Sequence, residues 1–587
     1  MQVQRGTELQ PNPPLATQAE PDALPFAHVV SVEGGQAIAA FDERAKLGVT
    51  QVNRVVIGAA VAIQTPTSSV IGVVTGLSVP TAALEGEDCV LRLVELDLVG
   101  EVVEDSVTGE KRFGRGVTVL PTLGDPIRLA SYHNLSAVYS SRGRPSVQIG
   151  TLYQDSKVPA YVLVDELLSK HFALVGSTGA GKSCGIAALL HGLIDKYPAA
   201  RVIVLDVHNE YSVAFQGKAE VVTPSNLFLP FWLLSFDELA SVFASTDHTG
   251  TEDLEILHDA VMNAKRRAGE TMVARQSGML RRVTDQISAG VDSPTPFRLA
   301  DISTYLDEQM GKLERTRSTI ALRRIRARIE TLMSDPRYAF MFGSLTVQDK
   351  LTEIIGRLFR IPTQGKPITI LDLSAIPSEI LSVVISVICR LAFDLGVWSK
   401  GTLPLTLICE EAHRYAPLDK SLGFEPTRQA IARIAKEGRK YGISLGVITQ
   451  RPSELDPTLL SQCSTIFAYR LSNDVDQQAV RARSADCAAR LLDFLSSLGD
   501  GEAIAIGQGV SMPMRIRMTR LAPHQMPAST GSAFSQMWSR DSATLEDLEK
   551  VVTRWRFNKR GDEAPGSLAR RVDDISRPPA FGVIDPA

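Results

Sequence analysis

The stretch Phe172-Ala173-Leu174-Val175-Gly176-Ser177-Thr178-Gly179-Ala180-Gly181-Lys182-Ser183-Cys184 decides the fold. Its four leading apolar residues read as a short buried strand, and Gly176 to Ser183 fit G-x-x-x-x-G-K-[ST] directly behind it. The spacing predicts a helix from Lys182 to Tyr197 and a second strand from Val202 to Leu205, which together make a βαβ unit. Glycines let the backbone curl until successive N–H groups point inward, and the helix N-terminus adds partial positive charge. Gly176, Ser177, Thr178, Gly179, Ala180, Gly181, Lys182, Ser183 and Cys184 therefore form a nucleotide-binding loop in this reading. Lys182 would neutralise the β and γ phosphates of ATP, and the Ser183 hydroxyl would coordinate Mg2+. The bland alternative is a Gly-rich turn that binds nothing, and the strand-loop-helix context argues against it.

Outward from this unit, strands are expected at Ile368 to Leu373, Leu405 to Cys409, Ser444 to Thr449, Thr465 to Arg470 and Glu502 to Ile506, with helices between them. Residues 236–352 lose strand signals, while Leu254, Leu257, Val261, Ile320, Ile325, Ile329 and Leu332 recur near helical spacing. The expected fold class is α/β, a doubly wound sheet in two parts (141–235 and 353–525) interrupted by a helical bundle at 236–352. Residues 28–140 alternate β-branched runs with turn signals (Val55 to Ile63, Val70 to Val74, Val90 to Val99, Val117 to Leu120) and read as a small N-terminal β-barrel or sandwich. Thr108-Gly109-Glu110 reads as a hairpin tip. Residues 1–27 read as a disordered tail and 526–587 as a C-terminal helix (Ala543 to Trp555) followed by a Pro-containing tail.

Chemistry-bearing residues collect where parallel strands end. Leu405 to Cys409 runs into Glu410 and Glu411, the form of a Walker B element; Glu410 is assigned to the metal shell and Glu411 to the attacking water. Gln450, at the end of the next strand, is positioned to sense water and γ phosphate, and Asp206 and Glu210 follow the second strand onto the same edge. Solvated helix starts and turn caps are the bland readings of these acids. Arg433, Lys436 and Lys440 share one side of a predicted helix, with Arg439 beside its end. A guanidinium presented to a neighbouring subunit's γ phosphate accelerates hydrolysis by about 10³ to 10⁵, and Arg439 is the first candidate. The loop from Arg414 to Arg428, with Tyr415 and Lys420, leaves directly from the acids and is the candidate DNA grip. The basic run Lys312 to Arg328 reads better as an ion-paired outer face of the bundle.

Of the 587 residues, 44% are hydrophobic and 22% charged, which excludes a disordered or fibrous chain. Lys plus Arg (62) against Asp plus Glu (66) leaves a formal net charge of -4, so any nucleic-acid surface must be local. The 6 cysteines show no zinc-type spacing, no run reads as a secretory signal, and Ile380 to Leu395 is broken by Arg390 and Asp394; the expectation is a cytoplasmic protein without a membrane span.

The ordered set Val175 to Ser183, Leu205-Asp206-Val207-His208-Asn209-Glu210-Tyr211, Glu410-Glu411-Ala412-His413-Arg414, Glu437-Gly438-Arg439-Lys440-Tyr441-Gly442 and Thr449-Gln450-Arg451-Pro452-Ser453 resembles the HerA ATPases of the HerA/FtsK superfamily over roughly residues 28 to 525. The resemblance implies a RecA-like P-loop NTPase core, a HAS-barrel-like N-terminal domain, a homo-hexamer with ATP between subunits, and double-stranded DNA in a central channel. It also implies a nuclease or other effector on the barrel face, NurA-like in end resection, or sirtuin-like or another nuclease in anti-phage defence. Val207 and Asn209 stand where the family often shows Pro and Gly, and residues 530–587 match nothing in it. The implied activity is that of an ATP-driven DNA translocase or helicase. Its rivals are an ATP-stabilised assembly scaffold and a secretion or conjugation pump.

Overall fold

The computed structural model describes residues 25–41, 55–79, 92–104, 111–141, 143–244, 250–275, 290–312, 318–343, 348–483, 491–528, 535, 538 and 544–556. The expected hairpin tip at Thr108-Gly109-Glu110, the N-terminal tail up to residue 24, and the tail beyond residue 556 lie outside them. Contacts divide the chain into two units, residues 1–139 and 140–587.

The first unit is mainly β, with one helix at Tyr132–Tyr139. Its strands are β1 (Ala27–Glu33), β2 (Gln36–Phe41), β3 (Ala60–Gln64), β4 (Ser69–Ser78), β5 (Leu93–Glu104), β6 (Lys111–Arg115) and β7 (Pro126–Leu129). They run in the order β2-β1-β7-β3-β4-β5-β6, and a further β2–β5 pairing closes six of them into a barrel with β6 attached outside β5. Closure leaves those six strands without a free edge, and alternate side chains, Val61, Ile63, Val94, Leu96 and Ile127 among them, fill the interior. Gly100 is obligatory in β5: a Cβ there would meet Gly114 O at 2.2 Å and the Phe113 ring at 2.5 Å. One expected strand is absent. Val117 to Leu120 has no ladder partner, with Val119 and Leu120 turned to solvent, and Pro126–Leu129 takes the place in the barrel instead.

The second unit is built on one 11-stranded sheet. Its strands are β8 (Ser146–Leu152), β9 (Pro159–Leu163), β10 (Phe172–Val175), β11 (Val202–Asp206), β12 (Ala219–Val222), β13 (Ile368–Asp372), β14 (Leu405–Cys409), β15 (Ile443–Thr449), β16 (Thr465–Ala468), β17 (Glu502–Gly507) and β18 (Met514–Met518). The order is β12-β13-β11-β14-β15-β10-β16-β17-β18-β8-β9; pairings are parallel from β12 to β16 and antiparallel from β16 to β9. Every residue of β10, β11, β13, β14, β15 and β16 is buried, as expected of parallel strands covered on both faces. The apolar helix Ser378–Trp398 supplies part of that cover. Its 21 residues are long and apolar enough to cross a bilayer, contrary to the sequence expectation, and 67% of its most apolar window is buried inside this unit. Burial against the sheet accounts for that apolarity.

Between the two halves of the sheet come helices Phe236–Phe243, Gly250–Arg275, Leu299–Met310 and Thr319–Ser334. Ile256, Leu257, Val261, Ile302, Leu306, Leu322, Ile325 and Ile329 make their common core. Three arginines of the basic run are spent locally, while Lys312 and Arg323 are exposed. Arg324 Nη2 lies 2.5 Å from the buried Asp253, Arg326 pairs with Asp307 and Glu330, and Arg328 Nε donates to Val242 O at 3.1 Å. Glu238 ties this bundle to the core helix, accepting from Ser386 Oγ at 2.6 Å and from Arg390 Nη2 at 2.9 Å.

Candidate active site

The phosphate loop joins β10 to the helix Lys182–Lys196. Gly179 and Gly181 hold φ of 77° and 106°, a left-handed region that side chains disfavour, and Gly181 is the residue from which the helix starts. The first N–H groups of that helix have no intrahelical acceptor and face the loop. Neighbouring strands hold the loop in shape: Arg470 O accepts from Ser177 N at 2.8 Å and from Ser177 Oγ at 2.9 Å, and Gly501 N donates to Ala180 O at 3.1 Å. Lys182 is buried, and its Nζ donates to Ser177 O at 3.0 Å. Burial pulls its pKa down, and the carboxylates of Glu411, Glu210 and Glu410 work against that shift. Ser183 is half-buried on the first helical turn, and Cys184 beside it is exposed.

Both predicted acids follow β14 and are buried. Glu410 Oε2 accepts from Val207 N at 3.2 Å, and its carboxyl hydrogen-bonds the Asp206 carboxyl. Burial first, and then the charges of Asp206 and Glu210, push the Glu410 pKa well above the carboxylate range. Burial also raises Asp206, against the hydrogen bonds it accepts from Tyr211 N and Glu210 N. Asp206 thus shapes the turn that carries Glu210, which is itself half-buried and close enough to Lys182 to act on its charge.

Glu411 takes a left-handed backbone with φ of 47°, strain of the sort functional positions retain. That conformation turns the carboxylate toward β15, where Gln450 Nε2 donates to its Oε1, while Gln450 Oε1 accepts from Thr178 Oγ1 of the phosphate loop. Glu411 Oε2 is buried without a hydrogen-bond partner. His413 Nδ1 stands 3.3 Å from that oxygen but makes its contact with Thr449 Oγ1 at 3.0 Å. Burial lowers the His413 pKa, so the imidazole is neutral and no ion pair forms there.

This donor set fits Mg2+. Ser183 Oγ and the Glu410 carboxyl are hard oxygen donors, the free Glu411 oxygen is a ready acceptor, and no described cluster of three or more His, Cys, Asp or Glu forms a cage. Magnesium is held in that open manner, by one or two protein oxygens together with nucleotide phosphates and water. Beside the loop, a cavity of ≈ 400 Å³ is lined by Ser177, Thr178, Gln450, Ser453, Asn473 and Asp476 among others.

The segment 147–392 matches the family model described as "Helicase HerA, central domain". The "DNA double-strand break repair helicase HerA" of Pyrococcus furiosus is 25% identical over 446 residues, covering 70% of this chain and 75% of that protein. The "Probable DNA double-strand break repair helicase HerA" of Methanocaldococcus jannaschii is 26% identical over 455 residues, covering 72% and 85%. Over its central segment and most of its length this chain is similar to the HerA helicases. It is an ATP-hydrolysing enzyme. Among solved structures, VirB4 of Thermoanaerobacter pseudethanolicus aligns with a TM-score of 0.47 at 16% identity, covering 65% of this chain and 98% of that one.

Other predicted residues fall outside the cluster. Arg439, Lys436 and Lys440 are exposed just before β15, whereas the phosphate loop follows β10 at the opposite end of the parallel strands. The 7 residues of β15 separate the two ends by about 23 Å, so none of these cations reaches the chain's own γ phosphate. Arg433, on the same helix as Lys436, lies with its guanidinium 4.1 Å from the Phe393 ring centroid.

In the loop after the acids, Arg414 and Lys420 are exposed, as the DNA-grip reading requires. Tyr415 is not: it is 2% exposed, and its hydroxyl donates to Glu410 O at 2.7 Å, so it braces the acids from below. Arg428 is paired with Glu425 and its side chain is 13% exposed. Sequence reasoning gave no individual role to His413 or Thr449. Their signal was position alone, as polar side chains at or just past the ends of adjacent strands.

Proposed function

We propose that this chain is an ATP-driven translocase or helicase of double-stranded DNA that works as a homo-hexamer, hydrolysing ATP with Mg2+ at the contacts between copies. The carrying observation is the division of the machinery between opposite ends of the sheet. Lys182, Glu411 and Gln450 stand at one end and Arg439 at the other. A second copy that brings its Arg439 to the first copy's phosphate loop completes the charge stabilisation that phosphoryl transfer requires. Ser183 and Glu410 would hold magnesium, which would supply charge neutralisation on the triphosphate. Glu411 takes the proton of the attacking water, and Gln450 orients that water and registers the γ phosphate. Lys182 holds the triphosphate on the helix N-terminus.

Arg414 and Lys420 extend from the strand end that carries the acids, and the loop is pinned to the segment after Gln450 through Leu418 N to Glu454 O at 2.7 Å and Asp456 N to Ala416 O at 3.0 Å. Movement of Gln450 on hydrolysis is thereby passed to residues facing DNA. An effector such as a nuclease engages the N-terminal barrel, in DNA end processing or anti-phage defence, in the cytoplasm. The test is oligomeric state and turnover measured together. With ATP, Mg2+ and duplex DNA the chain assembles, and DNA raises its ATPase rate; Glu411→Gln assembles without turnover. A chain that stays monomeric under those conditions, or turnover that survives Lys182→Ala, overturns the reading. Assembly with DNA-independent turnover favours an ATP-stabilised scaffold for an effector.

A further inference from the structure

We propose that Arg470 is a nucleotide-contacting residue of this site, parked on Asp500 in the free chain and drawn to the triphosphate when ATP binds; the inference rests on the ATP reading above. β10 has two parallel neighbours, β15 and β16. The end of β15 contributes Gln450 to one flank of the phosphate loop, and the end of β16 brings Arg470 to the other. The Arg470 backbone is part of the loop's own support, its carbonyl taking both Ser177 donors. Its side chain runs to Asp500, with Nη2 2.8 Å from Asp500 Oδ1 and Nη1 donating to Leu498 O at 3.4 Å.

The turn that carries Asp500 rests on the far end of the same loop. Gly501 N donates to Ala180 O, and a Cβ built on Gly181 would lie 3.1 Å from Gly501 N and Cα. The guanidinium is therefore strung along the loop from Ser177 toward Ala180, beside the place where phosphate oxygens bind.

The Arg470 side chain is 33% exposed and that of Asp500 74% exposed. An ion pair so open to water contributes little, whereas a guanidinium on phosphate makes charge-assisted, bidentate hydrogen bonds. The exchange from carboxylate to phosphate is favoured once a polyanion fills the loop. The turn does not depend on Asp500 for its shape. Glu502 Oε2 holds it by accepting from Gly499 N at 3.2 Å and from Arg515 Nη2 at 2.7 Å.

Two variants of the full chain should shift affinity in opposite directions, read as equilibrium binding of a fluorescent ATP analogue with Mg2+. Asp500→Asn removes the competing carboxylate and tightens binding by up to about fivefold. Arg470→Ala weakens it by about tenfold or more. Unchanged affinity in Asp500→Asn, or weakening in both variants, overturns the assignment. Should Arg470→Ala fail to fold, Asp500→Asn decides alone. Lys182→Ala separates the two readings. Undiminished binding in that variant topples the ATP site itself, while lost binding there with an unmoved Asp500→Asn topples only the role of Arg470.

Discussion

The Gln450 carboxamide joins Glu411 to the phosphate loop, donating through Nε2 to Glu411 Oε1 and accepting through Oε1 from Thr178 Oγ1. The three residues come from the ends of β14, β15 and β10, strands whose registers pair Cys409 with Val447 and Val175 with Thr449. Parallel pairing therefore lines up the chemistry on one edge. Any ligand that engages Thr178 must change what Gln450 holds, and so change the freedom of Glu411.

Glu411→Gln removes the proton acceptor while keeping the shape of the side chain and its contact with Gln450. The expected result is a loss of kcat of about 10² to 10⁴, as for a general base, with ATP affinity close to that of the unaltered chain. Single-turnover hydrolysis and equilibrium ATP binding measured on the same preparation check this. Affinity that falls in step with kcat would mean that Glu411 serves binding instead.

Gln450→Ala frees Glu411 and Thr178 at once. The expected loss in kcat is about 10² to 10³, the scale for one oriented polar group acting on the transition state. Thr178→Val interrupts only the loop end of the relay and leaves the Gln450–Glu411 bond in place, so its loss is the smaller of the two. A larger effect from Thr178→Val would refute the relay.

Much of this was legible in the sequence because the central strands are short, wholly apolar and bounded by polar residues. Phe172–Val175 and Leu405–Cys409 have the observed limits. Strands β8, β9, β12 and β18 were missed for the converse reason. Met514-Arg515-Ile516-Arg517-Met518 alternates, with Met514 and Ile516 buried and the arginines between them less so, a half-buried pattern that competes with turn signals in a short window. In the site, residues at strand ends could be placed by motif. The contact between Asp206 and Glu410 could not, since it joins positions about 200 apart through the β11–β14 register. Tyr415 was misassigned because Pro and Gly around it suggest an open loop, whereas its hydroxyl is anchored on Glu410 O.

Gly185 is required by a contact across the site. A Cβ there would lie 1.7 Å from Tyr469 Oη, and the helix Lys182–Lys196 could accept it only by moving away from β16. Gly185→Ala should cost about 1 to 3 kcal/mol in thermal or denaturant unfolding and weaken ATP binding through the displaced phosphate loop. The Tyr469 hydroxyl is buried without a hydrogen-bond partner, so Tyr469→Phe should be close to neutral or stabilising. The double variant should recover part of the loss, and strict additivity in that cycle would show that the two positions do not meet.

His171 makes stability depend on pH in a stated direction. It is 3% exposed between β10 and β15; Leu445 N donates to its Nδ1 at 3.0 Å, so the ring proton sits on Nε2, which donates to Ala435 O at 3.0 Å. A second ring proton would have to face the Leu445 N–H, and burial pushes the pKa down from its usual value. The unfolded chain takes up a proton at His171 below about pH 6.5 while the folded chain does not. Stability from this residue is accordingly complete above that pH and falls as pH drops below it. His171→Gln preserves a donor and an acceptor but does not titrate. The difference in unfolding free energy between the two chains should therefore shrink as pH is lowered from 7 to 5, with other histidines cancelling. A difference that stays constant over that range would mean that His171 is not held neutral.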